Sequence, residues 1–452
     1  MPLRGLTVGS DQTLRRDGVR FRNIGLNYGG AIQRIYSQPS TTACAYTSGA
    51  EQDAMLDIAQ TMKVKVLRVK ATPYHPAQWT YGVNAGKSIA AATPSDREAH
   101  YQKIDAFLAK CRARDIGVIL TLFFRHATPS DLAGQTVRAG WLSAGATRTF
   151  VTAVTQEVVT RYLTEDAVLG YEWSNEVNHY NDASDATRGA WPAVNTSYGT
   201  NASYSAANDI ILSSEYAGLI SWWSGIVTAI DSQRIVLTGN GPNSYSQPGG
   251  AAGITTPLKE WHREQVRDNP TNCGSIHWYG NIGYGSPGFR GLNAVLTGVR
   301  HWQKQSGRGF LLGEFGNQPW TITALNSSGG TLTASVASSC PVEVGDQVKI
   351  AGTGSSFDGL TVTLATVNAA RDTLTAPCSV AGTWSGSVKG LQHMTGAKVA
   401  RMCDDIIKSG TDVALFWMLD GDTGRPIWES VDESGNAEIR AAILAANTSL
   451  GW

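Results

Sequence analysis

Apolar positions along this 452-residue chain switch repeatedly between two spacings. Short apolar runs occupy residues 21–27, 64–69, 116–123, 167–176, 234–238, 273–279, 309–314 and 413–417. Runs of that length, bounded by turn residues, read as buried strands. Between them apolar residues recur every three or four positions. Met55, Leu56, Ile58, Ala59 and Met62 share one face over 53–62. Ile104, Phe107, Leu108 and Cys111 share another, after Ser95-Asp-Arg-Glu98, which reads as a capping box. The same spacing predicts helices over 148–163, 206–230, 257–266, 292–305, 397–408 and 437–446. Strands and helices alternating eight times predict a (β/α)8 barrel. An open doubly wound sheet would carry a Gly-rich phosphate turn after its first strand, and Asn27-Tyr-Gly-Gly30 is a poor match.

Two stretches break the rhythm. Residues 6–8 and 13–15 flank Gly9-Ser-Asp-Gln12, and Asp17-Gly18 follows, a hairpin pattern placed to cap the bottom of a barrel. From 321 to 389 the chain turns rich in Thr, Ser, Gly and Val, with short strand-like pieces between turn residues. This predicts a small all-β insert after the seventh barrel strand, leaving 1–320 and 390–452 for the barrel. Within it, Val344-Gly-Asp-Gln-Val-Lys-Ile-Ala-Gly352 resembles small β-modules of phage tail and other surface proteins. The insert reads either as a packing decoration or as a wall that binds carbohydrate or attaches to a particle.

Composition narrows the function. With 37 basic and 37 acidic residues and no charge run, nucleic acid is not expected as a partner. No apolar stretch approaches the length of a membrane span, so no membrane partner is expected. Oligomeric state has no sequence signature here. The opening Met1-Pro-Leu-Arg-Gly-Leu6 lacks the apolar core of a signal peptide, so the expected location is cytoplasmic, phage-associated or that of a secreted mature form. The six cysteines show no metal-ligand spacing. Cys340 and Cys378 lie in one local segment and are candidates to pair, whereas Cys44, Cys111, Cys273 and Cys403 read as reduced core residues. Fourteen Trp and fifteen Tyr with few charges suit a sugar-binding cleft, where rings stack on apolar pyranose faces. Most of those rings are still expected in the core.

In a barrel, catalytic groups come from the C-terminal ends of the strands. Those ends carry Arg68 on the second strand, Asn175-Glu176 on the fourth, His277-Trp-Tyr279 on the sixth and Glu314 on the seventh. Trp417 ends the eighth, followed by Asp420 and Asp422. There is no metal-ligand grouping, cofactor loop or Gly-x-Ser-x-Gly elbow. Paired carboxylates with no metal suit cleavage of a glycosidic bond, one as proton donor and the other as nucleophile or base. Arg68 is suited to keeping one carboxylate ionised. Tyr279 is placed to hydrogen-bond the same carboxylate, and His277 to contact Glu176 or substrate.

Four motifs in this order, Gly170-Tyr-Glu-Trp-Ser-Asn-Glu176, His277-Trp-Tyr279, Leu311-Leu-Gly-Glu-Phe-Gly316 and Leu415-Phe-Trp-Met-Leu-Asp-Gly421, resemble clan A glycoside hydrolases. The resemblance is nearest to family 5 and other cellulase-like enzymes, and it covers the barrel strands but not the insert. It implies a retaining mechanism with Glu176 as acid/base and Glu314 as nucleophile. It also implies that Asn175 binds the sugar 2-hydroxyl, that Arg68, His277 and Tyr279 support the glutamates, and that Trp417 is a sugar platform. The implied substrate is a plant or microbial polysaccharide or oligosaccharide. An endo-β-1,4-glucanase or β-mannanase comes first, with xylan or a bacterial surface glycan next. One departure stands out: family 5 usually places a His in or after the third strand. Here Phe123 sits about there, and His126 lies three residues on.

A non-catalytic glycan-binding adhesin on the same scaffold and a transglycosylase remain alternatives. Glu172 reads as a structural carboxylate pointing into the barrel. His126, Asn27, Asn240, Asp420 and Asp422 read as loop residues near the rim and divide evenly between sugar contact and turn chemistry. Trp141, Trp191 and Trp320 divide between subsite stacking and loop packing.

Overall fold

The computed structural model describes residues 5–33, 46–177, 211, 213–240, 271–279, 292–316, 320–337, 342, 344–350, 352–370, 372–392, 396–417 and 437–452. The chain opens with a small antiparallel sheet of β1 (Thr7–Val8), β2 (Leu14–Arg16) and β3 (Val19–Arg20). The barrel strands are β4 (Asn23–Tyr28), β5 (Val66–Lys70), β6 (Gly117–Phe123), β7 (Val168–Ser174), β8 (Ile235–Leu237), β9 (Cys273–Tyr279), β10 (Gly309–Gly316) and β18 (Val413–Phe416). They form one eight-stranded sheet in the order β8-β7-β6-β5-β4-β18-β10-β9, with parallel pairing throughout. Its two ends meet through a parallel bridge between Asn240 and Ile276. The Gly239 N–H donates to Ser275 Oγ at 3.0 Å across the same seam. The sheet is therefore closed, as the strand count predicts.

Helices α1 (Gly49–Thr61), α2 (Pro94–Ala113), α5 (Ala146–Tyr162), α6 (Ser213–Ile230), α7 (Leu292–Gln305), α8 (Gly396–Ser409) and α9 (Ala437–Ser449) alternate with the strands. Two short helices, α3 (Ala127–Leu132) and α4 (Val137–Leu142), lie in the connection from β6 to α5. The helix expected over 257–266 and the start of that expected from 206 lie outside the described residues. The expected capping box on α2 is displaced. Thr93 caps the helix, and the Asp96 carboxylate accepts from its N–H at 2.8 Å and its hydroxyl at 2.7 Å. Glu98 instead accepts from Arg161 on α5 at 2.9 Å. Pro94 at the first helical position moves the start upstream, because its fixed φ suits that position.

The barrel interior is layered. Val66, Ile119, Leu169, Ile235, Cys273, Leu311 and Val413 fill its lower half, and Leu6, Leu14 and Phe21 from the N-terminal sheet close the bottom. That plug is pinned by the Leu6 N–H on Leu169 O at 2.8 Å and the Leu14 N–H on Asp412 Oδ2 at 2.9 Å. Above this apolar floor the inward positions turn polar, which sets up the site.

After β10 the chain leaves the barrel. Strands β11 (Trp320–Ser328), β12 (Thr331–Val336), β13 (Gln347–Ile350), β14 (Thr361–Thr363), β15 (Thr366–Val367), β16 (Thr373–Pro377) and β17 (Gly382–Gln392) form an antiparallel sheet of seven strands. Alternation on β12 turns Leu332, Ala334 and Val336 inward. These join Ile322, Leu325, Val348, Ile350, Phe357 and Leu391 in a core separate from that of the barrel. The first and last strands pair side by side, Trp320 against Leu391, so the insert leaves and rejoins the barrel at one place. Cys378 is a buried free thiol, as are Cys111, Cys273 and Cys403. Cys44 and Cys340 lie outside the described residues.

Candidate active site

Arg68 is the hub of the polar layer. Its side chain is buried on β5. Nε donates to Glu172 Oε2 at 2.5 Å, Nη1 to Glu314 Oε1 at 2.6 Å and to Asn27 Oδ1 at 3.1 Å, and Nη2 to Asn175 Oδ1 at 2.7 Å. Burial works against the guanidinium charge, but the Glu172 and Glu314 carboxylates outweigh it and raise the Arg68 pKa. Asn27 is held in turn, donating through Nδ2 to Gly313 O at 3.1 Å and to Leu415 O at 3.3 Å. It is a scaffold residue rather than a rim loop residue. Asn240 also serves the frame, accepting from the Tyr216 hydroxyl at 2.6 Å beside the barrel seam.

Glu314 reaches the interior through an irregularity in β10. Register with β9 shifts between Leu312 and Glu314, so Gly313 is the extra residue and Glu314 lies opposite His277. Gly313 must be glycine, because a Cβ there would come within 2.9 Å of the His277 ring. Glu176 follows the end of β7 with a left-handed φ of 52°. A non-glycine residue held there costs roughly 1 kcal/mol or more, and such positions cluster at functional sites. Its N–H donates to Gly239 O at 2.7 Å. Gly239 has φ of 71°, and a Cβ on it would lie 1.9 Å from Ser174 O.

His277 joins the two carboxylates. Its Nδ1 lies 2.9 Å from Glu176 Oε1 and 3.3 Å from Glu314 Oε2. Burial alone would lower the imidazole pKa. The Glu314 charge and the hydrogen bonds to Glu176 and Glu314 overcome this, against Arg68, and raise it to about 9. The imidazolium therefore neutralises part of the charge of two carboxylates that stand close together. Glu176, His277 and Glu314 each offer one ligand atom, all within 4.8 Å of one another, so these three would be the ligands if the pocket took up a cation. The Glu176 side chain is 26% exposed and that of Glu314 is 4% exposed.

An aromatic wall stands beside this cluster. Trp417 and Phe124 pack together, with Tyr74 against them. Phe124 follows β6 and Trp417 follows β18, so their contact arches over the ends of β5 and β4. The Arg68 guanidinium lies 5.4 Å from the Phe124 ring centroid. Phe123 points the other way, onto Trp141 with centroids 6.1 Å apart. Ile119 and Thr121 face inward on β6, so continued alternation would turn Phe123 inward too; the phase instead breaks at the end of β6, and Phe124 stands beside the cleft.

His126 is buried. Burial first and Arg125 second push its pKa down to about 3. Its carbonyl accepts from Trp141 Nε1 at 2.8 Å, and Trp141 packs on Trp173, so Trp141 is loop packing. Tyr279 ends β9 opposite Gly316. Its side chain, that of Trp320, and Trp191, Asp420 and Asp422 lie outside what is described. Sequence reasoning missed Thr121, Gly239 and Phe124. The inward phase of β6 signalled the first, and the Thr238-Gly-Asn240 strand end signalled the second.

No protein-family model and no curated protein matches the sequence. Solved structures do. The endo-β-1,4-mannanase of Thermotoga petrophila superposes with a TM-score of 0.55 at 14% identity, over 95% of this chain and 77% of that one. The endo-1,4-β-mannanase of Rhizomucor miehei gives 0.55 at 11% identity, over 98% and 99%. A glycoside hydrolase family 5 mannosidase from the same organism gives 0.52 at 10% identity, over 100% and 98%. The fold is shared with these enzymes. The fold expectation drawn from the motifs therefore stands.

Proposed function

We propose that the protein is a retaining β-glycosidase acting on a polysaccharide or oligosaccharide, with Glu314 as nucleophile and Glu176 as acid/base. One observation carries the reading: the two carboxylates offer oxygens within 4.8 Å of each other. Retaining enzymes hold their carboxyl groups about 5–5.5 Å apart, and inverting ones about 6.5–9.5 Å. The surroundings divide the roles. Glu314 is buried and ion-paired with Arg68, which suits an ionised nucleophile. Glu176 is partly exposed, open to a leaving sugar and then to incoming water, which suits the acid/base.

In the first step Glu314 attacks the anomeric carbon while Glu176 gives its proton to the departing oxygen. In the second, Glu176 takes a proton from water, which displaces Glu314. Asn175, oriented by its bond to Arg68, offers its amide N–H₂ to the sugar 2-hydroxyl. Trp417 supplies a ring face beside the reacting sugar. Among substrates, a β-1,4-mannan or β-1,4-glucan ranks first, since the mannanases named above share the fold. The inserted sheet, from Trp320 to Gln392, has its own core.

Reducing-sugar release from a polysaccharide panel identifies the substrate. Glu314→Gln and Glu176→Gln each then reduce turnover at least a thousandfold on the order expected for groups acting as a unit, with the fold intact by circular dichroism. An inverted anomer in early NMR spectra rules out the retaining mechanism. Glycan binding without any cleavage favours the adhesin reading.

A further inference from the structure

Glu172 is the deepest charged group of the cluster, with no exposed surface. By sequence it reads as a structural carboxylate. Its contacts are arranged differently from a simple core ion pair. Oε2 takes both the Arg68 Nε–H at 2.5 Å and the Thr121 hydroxyl at 2.6 Å, and Oε1 has no hydrogen-bond partner among the described residues. A Cβ on Gly239 would lie 2.9 Å from its Cδ, so the barrel seam is built around this carboxylate. On the far side of the guanidinium, Nη2 is held by Asn175 and Nη1 divides between Asn27 and Glu314.

We propose that Glu172 is a positioning residue for Glu314, acting through Arg68; the inference rests on Glu314 being the nucleophile. Left to itself, a guanidinium takes a carboxylate with two parallel N–H bonds, and such a pair is strong. That grip would engage both Glu314 oxygens and blunt the attacking one. Clamped by Glu172 at Nε and by Asn175 at Nη2, Arg68 presents a single nitrogen to Glu314 Oε1. The other oxygen, Oε2, faces His277 and the Glu176 side of the cleft. Glu172 also shares the Arg68 charge, so the guanidinium orients Glu314 without neutralising it alone. The charged and titratable groups facing this arrangement are Arg68 from β5, Glu314 from β10, His277 from β9, Glu176 after β7 and Tyr216 from α6.

Glu172→Gln tests this, because the amide oxygen still accepts from Arg68 and Thr121 while the charge is gone. The expected result is kcat about a hundredfold lower, the loss typical of a reacting group misplaced by about 1 Å, with KM within about twofold. The probe is 2,4-dinitrophenyl β-cellobioside or β-mannobioside, whichever the wild-type protein cleaves. That leaving group departs without protonation, so a defect in the nucleophile persists with it and a defect in the acid does not. Thr121→Val, which keeps the charge and removes one clamp, gives the same pattern at roughly tenfold. Should Glu172→Gln not fold, Thr121→Val decides the question. A folded Glu172→Gln protein with wild-type kcat overturns the proposal. So does a loss that vanishes on the dinitrophenyl substrate, which would move the effect to Glu176. Glu314→Gln is the control: if it is inactive while Glu172→Gln is normal, only this inference fails, and if it is active the nucleophile assignment fails.

Discussion

His277 makes the pH dependence of stability quantitative. Its pKa rises from 6.5 to about 9 in the folded protein. Below pH 6.5 both folded and unfolded states hold the proton, and the stabilisation is fully present. Between 6.5 and about 9 only the folded state holds it, so stability falls as pH rises through that window and levels off above it. At about 1.4 kcal/mol per unit, the contribution is on the order of 3 kcal/mol. His277→Asn places a non-titrating amide where Nδ1 stands. Urea unfolding of both proteins, followed from about pH 6 to about pH 10, should show wild type losing about 3 kcal/mol more than the variant. Parallel curves would mean that the ring holds no extra proton and would refute the charge assignment. A wild type that gained stability with rising pH would reverse it.

On the acid side the sign is opposite. Burial lowers His100 to about 4 and His126 to about 3, so stability present above the unfolded pKa should be lost as pH falls through these values. Thermal unfolding of His100→Asn between pH 7 and pH 4, values set by the 6.5-to-4 window, should show a shallower decline than wild type. Gly239→Ala places a methyl 1.9 Å from Ser174 O, so the strand end must shift and the Glu176 N–H loses its acceptor. Its activity should drop about a hundredfold or more even where soluble protein is recovered, and normal kcat would refute the anchoring role. Replacing residues 321–389 by a Gly-Ser bridge should leave barrel unfolding unchanged, because the two cores are separate. Weaker action on polymer with unchanged action on a short oligosaccharide would assign the module to substrate binding. Equal loss on both would show that the barrel depends on it.

The alternation of strand and helix was legible from residue spacing alone, because burial of one stripe or one run is a local pattern. So were the strand-end motifs, since a Glu beside an Asn or an aromatic at the end of an apolar run is costly unless it is used. Cap placement on α2 was misread by two residues because Ser95-Glu98 and Thr93-Asp96 offer overlapping signals, and Pro94 decides between them only in the folded helix. Phe124 was hidden because the inward phase of Ile119 and Thr121 points to Phe123, and that phase breaks where β6 ends. Only the packing of Phe123 on Trp141 and of Phe124 on Trp417 fixes which one enters the cleft.

The sequence by itself determined that a barrel would form and that Glu176 and Glu314 would end two of its strands. Tertiary structure alone decided that one guanidinium serves Glu172, Glu314, Asn27 and Asn175 together. Arg68 and Glu314 lie 246 residues apart. Closure of the sheet brings them to 2.6 Å, where both side chains are buried and the pairing offsets the cost of taking two charges out of water. Local spacing can state which side chains face inward, but it carries no information on which inward-facing groups meet.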